Sequence, residues 1–335
     1  MTFRIRLDGR DDSFVALPGE SLLDAGRRAG FTFPQACRNG NCFRCEGRLL
    51  AGEVEHRRTH ARLQAAESPE PVLPCIVEAR SDCRLRVEGV YGPGELPVLD
   101  VAAQVVAVEM LNHNVARIGL RLPAGRRIAR LAGQYLEILD PATGAAYAFS
   151  IASPPESGRD IELHVRHGED NPASLAVMAL LRGNAVVRVR LPMGDCSLAG
   201  EPRLPLLIVA GSTGFSQAKA FVEHAIACRW KIPVALYRGV REPADLYLPD
   251  LPEQWARQHA NIRCISVISH AADTRGMRHG HVHEAVLADR PDFANLLVYG
   301  CGSPPMVYAA LDAFTAAGLP RERFFSDVFA WAPRD

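Results

Sequence analysis

The stretch Ala36-Cys37-Arg38-Asn39-Gly40-Asn41-Cys42-Phe43-Arg44-Cys45 sets three cysteines on one short loop, and a fourth, Cys75, follows after 29 intervening residues. The spacing C-x4-C-x2-C-x29-C is that of a 2Fe–2S centre, in which two irons take three thiolates from a tight loop and one from elsewhere in the fold. Gly40 and its flanking asparagines suit a loop that takes positive φ and turns its N–H groups toward anionic sulfur. Zinc is the competing reading, but zinc knuckles come as two C-x2-C pairs, and here there is one pair plus an outlier. The candidate metal ligands are therefore Cys37, Cys42, Cys45 and Cys75. Cys83, Cys196, Cys228 and Cys264 have no partner in the sequence and read as structural.

Working outward, Phe3–Leu7 and Ser13–Leu17 alternate apolar and polar residues around a polar turn and predict a β-hairpin. A short helix over Ser21–Ala29 ends at Gly30, and a strand is expected at Cys83–Val87. The segment resembles plant-type ferredoxins over about ninety residues, and the resemblance implies a β-grasp fold around a one-electron centre. Residues 1–89 carry 13 acidic against 14 basic side chains, a near-neutral balance that suits an electron donor in the same chain rather than a freely searching carrier. Tyr91-Gly92-Pro93-Gly94-Glu95-Leu96-Pro97 reads as a linker.

Beyond it the pattern changes twice. Short apolar runs at Gln104–Glu109, Val115–Leu122, Tyr135–Leu139, Tyr147–Ile151, Ile161–Arg166 and Ala185–Arg190, with one helix near Ala173–Leu181, predict a small antiparallel β-barrel. After Leu204, strands alternate with helices, as in an open parallel sheet covered on both faces. The expected architecture is multi-domain, α+β and α/β. A β-grasp domain spans residues 1–89, a linker 90–97, an antiparallel barrel 98–202 and a Rossmann-like domain 203–335.

Two turns carry the chemistry of the last domain. Gly211-Ser212-Thr213-Gly214-Phe215-Ser216 follows an apolar strand and opens a helix, placing N–H groups against a phosphate, although it lacks the three-glycine dinucleotide fingerprint. Tyr299-Gly300-Cys301-Gly302-Ser303-Pro304-Pro305-Met306 repeats the arrangement at what would be the same sheet edge. Together with the terminal Phe325-Ser326-Asp327-Val328-Phe329-Ala330-Trp331, these motifs resemble the ferredoxin–NADP reductase superfamily from Val98 to the end. Reductases of the CDP-6-deoxyglucoseen type, oxygenase reductase components and bacterial flavin reductases are similar.

The resemblance implies that Gly211, Ser212, Thr213 and Gly214 hold a nicotinamide dinucleotide, with Cys301 near the reacting carbon, Gly302 allowing close approach and Phe329 near a flavin ring. It places FAD at Tyr147-Ala148-Phe149-Ser150, with Phe149 covering the ring and Ser150 bonding its N5. Ser150 and Cys301 are thus the candidate catalytic residues. Tyr147 stands where the family has an arginine, and a neutral phenol cannot reproduce the charged fork of a guanidinium. Arg166, on a neighbouring strand, could supply that charge, and Ser174, Gly194 and Ser197 lie where the family cradles the pyrophosphate. Arg238 and Arg241 follow the second strand of the dinucleotide unit and leave NADH or NADPH open. His279-Gly280-His281-Val282-His283 reads as a solvated turn, because residues two apart on a helix do not share a face.

A hydride delivers two electrons, a cluster takes one, and a flavin converts between them. The expectation is an oxidoreductase using NADH or NADPH, FAD and a 2Fe–2S cluster to feed a separate acceptor protein, an oxygenase component or a deoxysugar dehydratase. The alternatives are a flavin reductase that releases free reduced flavin, and a redox sensor without turnover. A formal net charge of zero gives no argument for nucleic acid or anionic membrane. No apolar run suggests a leader or membrane span, so a cytoplasmic setting is expected.

Overall fold

Alternation in β1 (Phe3–Leu7) and β2 (Ser13–Ala16) buries Ile5, Leu7, Phe14 and Ala16 on one face, and the two strands pair antiparallel. The computed structural model describes the chain apart from residues 1, 34–37, 41–42, 44, 66–70, 89, 94, 126–127, 169–170, 199, 272–273, 275, 290–291 and 335. Contacts divide it into two units, Met1–Pro97 with Ala124–Ala129, and Val98–Pro123 with Arg130–Asp335.

In the first unit, helix α1 (Leu22–Arg28) starts at Ser21, whose Oγ accepts from the Asp24 amide at 3.1 Å. Its buried Leu22, Leu23 and Ala25 join the core under the sheet. Strands β3 (Gly47–Ala51), β4 (Glu53–His56), β5 (Arg62–Gln64), β6 (Pro71–Val72), β7 (Val77–Ala79) and β8 (Cys83–Arg86) follow. The main sheet runs β2-β1-β8-β3-β6, with β1 and β8 parallel, and β5-β4-β7 form a small second sheet. A mixed sheet grasping one helix is the β-grasp arrangement.

The second unit opens with β9 (Leu99–Met110), β10 (Val115–Arg121), β11 (Tyr135–Leu139), β12 (Ala146–Ser150), β13 (Asp160–Arg166), helix α2 (Pro172–Gly183) and β14 (Val186–Met193). The antiparallel order is β12-β11-β14-β9-β10-β13, and a bridge between Ile151 and Leu163 ties the two ends together. β9 begins at Leu99, not at Gln104. Its first half carries polar Asp100 outward but pairs with β14 through Leu99–Leu191 and Val101–Val189, while its second half pairs with β10.

The remaining elements are β15 (Leu206–Gly211), α3 (Phe215–Ala227), β16 (Val234–Val240), α4 (Asp250–Gln258), β17 (Ile262–Ile268), β18 (Arg278–His279), α5 (Val282–Asp289), β19 (Leu297–Cys301), α6 (Pro304–Ala316), β20 (Phe324–Phe325) and α7 (Val328–Trp331). The sheet is parallel, in the order β18-β17-β16-β15-β19-β20. Central β15 is buried on both faces. Leu206 and Ile208 pack into one core, Leu207 and Val209 into the other, so the strand reads as a continuous apolar run.

Helix α4 escapes sequence reading because two prolines bracket its start and it buries only Pro252 and Trp255. The run Phe324–Trp331 divides at Ser326-Asp327 into a short strand and one helical turn. Among the described residues no helix is long and apolar enough to cross a membrane.

Candidate functional site

Strand order reverses beside β15, which has β16 on one side and β19 on the other. In open α/β sheets the crevice at such a switch point binds ligands. Both glycine turns end there. Ser212–Gly214 form one 3-10 turn, with Ser212 at φ +50°, before α3 begins at Phe215. Gly214 lies so close to β19 that a Cβ on it would run into the Cys301 carbonyl, and a Cβ on Gly302 would stand 2.7 Å from the Met306 methyl.

The barrel contributes the facing wall. Ser150 ends β12, and its carbonyl accepts from Ser216 Oγ at 2.9 Å, fixing the strand end to the start of α3. A cleft of about 650 Å³ opens between them, lined by Phe149, Ser150, Arg166, Asn171, Thr213 and Gly302, among others. Its neighbour, about 720 Å³, shares Arg166, Gly211 and Ser212 and extends to Arg241, Asp245 and His270. Two clefts that join at Arg166, Gly211 and Ser212, with an aromatic, Phe149, lining the first, suit a flavin and a dinucleotide. Arg166 is exposed in the cleft and makes no ion pair among the described residues.

The other expected positions divide. Tyr147 is half-buried on β12 opposite Ile138 and does not line the cleft. Ser174 is buried and turned away: its N–H donates to Asn171 Oδ1 at 3.1 Å and its hydroxyl to the Asn171 carbonyl at 2.7 Å, so Asn171 presents that helix start. Gly194 has φ +91° and its carbonyl accepts from Gln134 Nε2 at 3.2 Å, and the Ser197 carbonyl accepts from Tyr299 Oη at 3.0 Å. Neither lines the cleft. The Cys301 thiol is buried beneath the turn, and burial pushes its pKa well up, so it stays protonated. Phe329 packs against Tyr308 and Phe324 with Arg321 over its ring; Trp331, 64% exposed, lines the cleft instead.

Arg238 requires correction. It lies within β16, 1% exposed, its guanidinium 3.8 Å from the Phe215 ring centre and 4.6 Å from that of Tyr247. It does not reach a ribose phosphate; Arg241 does line that cleft. Side chains on a buried strand alternate between two covered faces, and a sequence count cannot tell that an arginine is sandwiched between aromatics. In the histidine tract, His279 ends β18 and His281 precedes α5, both exposed, while His283 lies on the helix with its ring stacked on that of His281 at 5.7 Å.

Sequence reading missed a polar seam in the wall of the cleft, which includes His164, Gln217 and Asp327. Gln217 Nε2 donates to the Gly133 carbonyl and to Asp327 Oδ2, both at 2.7 Å. His164 Nε2 meets Glu162 at 2.7 Å and Nδ1 meets Tyr247 Oη at 3.1 Å. Burial would raise the Glu162 carboxyl, but His164 and Lys219 outweigh it and hold it at about 2. Apart from Glu162 and His164, neighbours on β13, the partners come from distant elements, so no local spacing marks the seam.

Burial pushes Asp327 up to about 6. The folded protein therefore prefers the protonated acid, and the penalty for ionising it grows as pH rises from about 4 to about 6 and stays complete above. Asp327→Asn keeps an acceptor for Gln217 and should stabilise the protein by about 1 kcal/mol more at pH 8 than at pH 5. Thermal unfolding of both proteins at the two pH values measures this; an equal change at both would refute it.

In the first unit, Cys45 is 3% and Cys75 6% exposed, and both join the same core. Cys37 and Cys42 lie outside the described residues. The loop that carries Cys45 holds Arg38 at φ +58°, Gly40 at φ +90° and Phe43 at φ +55°, a run of left-handed backbone that ordinary loops avoid. Such a loop with buried sulfur donors fits a cluster cradle.

Family models match over both units: a 2Fe-2S iron-sulfur cluster binding domain at residues 5–80 and an oxidoreductase NAD-binding domain at residues 208–312. Terephthalate 1,2-dioxygenase reductase component 1 of Comamonas sp is 33% identical over 99% of both chains. The CDP-6-deoxy-L-threo-D-glycero-4-hexulose-3-dehydrase reductase of Yersinia pestis is 30% identical over 98% of this chain and 99% of its own. Among solved structures, the Amycolatopsis cytochrome P450 reductase GcoB matches with a TM-score of 0.64 at 28% identity, covering 97% of this chain and 98% of its own.

Proposed function

We propose an electron route and an acceptor for this chain, which belongs to the reductase family that joins a 2Fe–2S ferredoxin domain to a flavin- and NAD-binding reductase. It is an NAD(P)H-dependent oxidoreductase that uses FAD and a 2Fe–2S cluster to serve a partner protein. When bound, the flavin would take one hydride, a pair of electrons, from the nicotinamide, and the cluster would pass them on singly.

In our reading the functional domains span residues 1–89, 98–202 and 203–335, with 90–97 as linker. Cys37, Cys42, Cys45 and Cys75 hold the cluster. Phe149 and Ser150 face the flavin ring, and the Ser216–Ser150 hydrogen bond keeps that strand end in place. Arg166 carries the positive charge for the flavin phosphates, a role left open by Tyr147. Gly211, Ser212, Thr213 and Gly214 bind the dinucleotide phosphates, while Gly302 gives the nicotinamide room. Buried Cys301 acts from behind the turn. Ser174, Gly194 and Ser197 shape the cleft through the backbone, and Phe329 supports the terminal helix that presents Trp331.

The acceptor we infer is the terminal component of an aromatic oxygenase, supported by full-length similarity to the terephthalate 1,2-dioxygenase reductase component. A cytoplasmic setting accords with Cys83, Cys196, Cys228 and Cys264 as free thiols. The observation that carries the reading is the meeting of both glycine turns with the end of β12 at one cleft. Anaerobic mixing of the purified protein with NADH should bleach flavin and cluster absorbance together. Adding an oxygenase component encoded beside it should then give single-turnover product. No bleaching would sink the reductase reading, and faster transfer to a sugar dehydrase would sink the choice of acceptor.

A further inference from the structure

Away from the cleft, three metal-binding side chains meet at the far end of α3. Glu156 belongs to the 3-10 turn Pro155–Ser157, which connects β12 to β13. His224 and Cys228 stand four residues apart at the end of α3 and so share one helix face. His224 Nδ1 is 3.0 Å from each Glu156 oxygen; Cys228 Sγ is 3.5 Å from Glu156 Oε1 and 3.6 Å from His224 Nδ1. The three donor atoms lie within 4.8 Å of one another.

These edges match one face of a tetrahedron. Bond lengths of about 2.0 Å to nitrogen and oxygen and 2.3 Å to sulfur put tetrahedral zinc ligands about 3.3 Å (N···O), 3.5 Å (S···O) and 3.6 Å (S···N) apart. Two of the three edges agree, and the third, N···O at 3.0 Å, lengthens by about 0.3 Å to fit. The imidazole is already held: its side chain is 7% exposed and it meets the Trp230 ring edge-on at 5.3 Å. Glu156 and Cys228 are exposed, leaving the outer corner open to water. An imidazole, a thiolate and a carboxylate select a borderline ion such as zinc over calcium or magnesium.

We propose that Glu156, His224 and Cys228 form a zinc-binding site, distinct from the cluster, that pins the β12–β13 connection to α3. Zinc takes the place of the hydrogens on His224 Nδ1 and the Cys228 thiol, which pass to solvent, and no electrons move. Because β12 carries Phe149 and Ser150 and β13 carries Arg166, the ion braces the turn that joins the two strands facing the flavin cleft.

The test uses the cluster- and flavin-loaded protein, dialysed free of adventitious metal and then against micromolar zinc. The expected content is one zinc per chain with iron unchanged, and zinc should raise the unfolding midpoint by several degrees. Cys228→Ser and Glu156→Gln, both at exposed positions, should each weaken zinc at least about tenfold and abolish the shift while retaining NADH–ferricyanide turnover. Zinc held equally by the parent and both variants, or by none of them, overturns the proposal and leaves the cluster as a Glu156–His224 ion pair.

Discussion

Cys75→Ser should eliminate electron delivery to the acceptor protein while leaving NADH-driven ferricyanide reduction within about twofold of the parent. Cys75 lies near the end of the segment that links β6 to β7, buried in the core of the first unit, and the other three cysteines come from a single loop. Serine is nearly isosteric, but its hydroxyl does not ionise in the range where a thiol does, so it supplies a poor ligand to iron. Iron content and the visible cluster bands should fall, and acceptor reduction should drop by about a hundredfold or more. The second unit holds the nucleotide turns and keeps its own reaction with a small oxidant. Acceptor reduction at the parent rate would remove the cluster from the route.

Gly214→Ala should raise the NADH KM at least about tenfold and lower the unfolding midpoint. The backbone itself presents no obstacle, since Gly214 has φ −58° and ψ −18°, open to any residue. Space is the obstacle. A methyl there meets the Cys301 carbonyl and lies 2.8 Å from the Gly302 nitrogen, so two backbones must part. Neither belongs to a flexible side chain. Overpacking of this kind costs about 1–3 kcal/mol, and it moves the N–H groups that we assign to the dinucleotide phosphates. Gly183→Ala is the control, because nothing lies within 4 Å of a Cβ at the end of α2. A KM equal to the parent's would show that the turns do not need this contact.

Much of this was open to sequence reading because the relevant chemistry is local. The cysteine loop declares itself by spacing, β15 by five consecutive apolar residues, and the two turns by glycine after a strand. What stayed hidden depends on partners far away in the chain. Arg238 looks like any cation at a strand end until Phe215 and Tyr247 close over it. Ser174 resembles a phosphate donor until Asn171 takes both its groups. Cys228 reads as an isolated thiol until Glu156, 72 residues earlier, arrives beside it. Trp331 and Phe329 share one motif, and only the turn of α7 decides which of them faces the cleft.

Helix α3 gives one more result. Ser216 bonds the Ser150 carbonyl, Gln217 the Gly133 carbonyl, and Lys219 stands 3.4 Å from Glu162, so the first turn of one helix is written against three separate stretches of the barrel. Chimeras that splice the nucleotide half of a relative onto this barrel near residue 203 therefore inherit a mismatch unless the graft brings compatible residues at 216, 217 and 219. Backbone acceptors at 133 and 150 tolerate any donor of the right reach; Glu162 tolerates only a cation. Recombination between members of this family is thus constrained less by where the chain is cut than by which side chains cross from one half to the other.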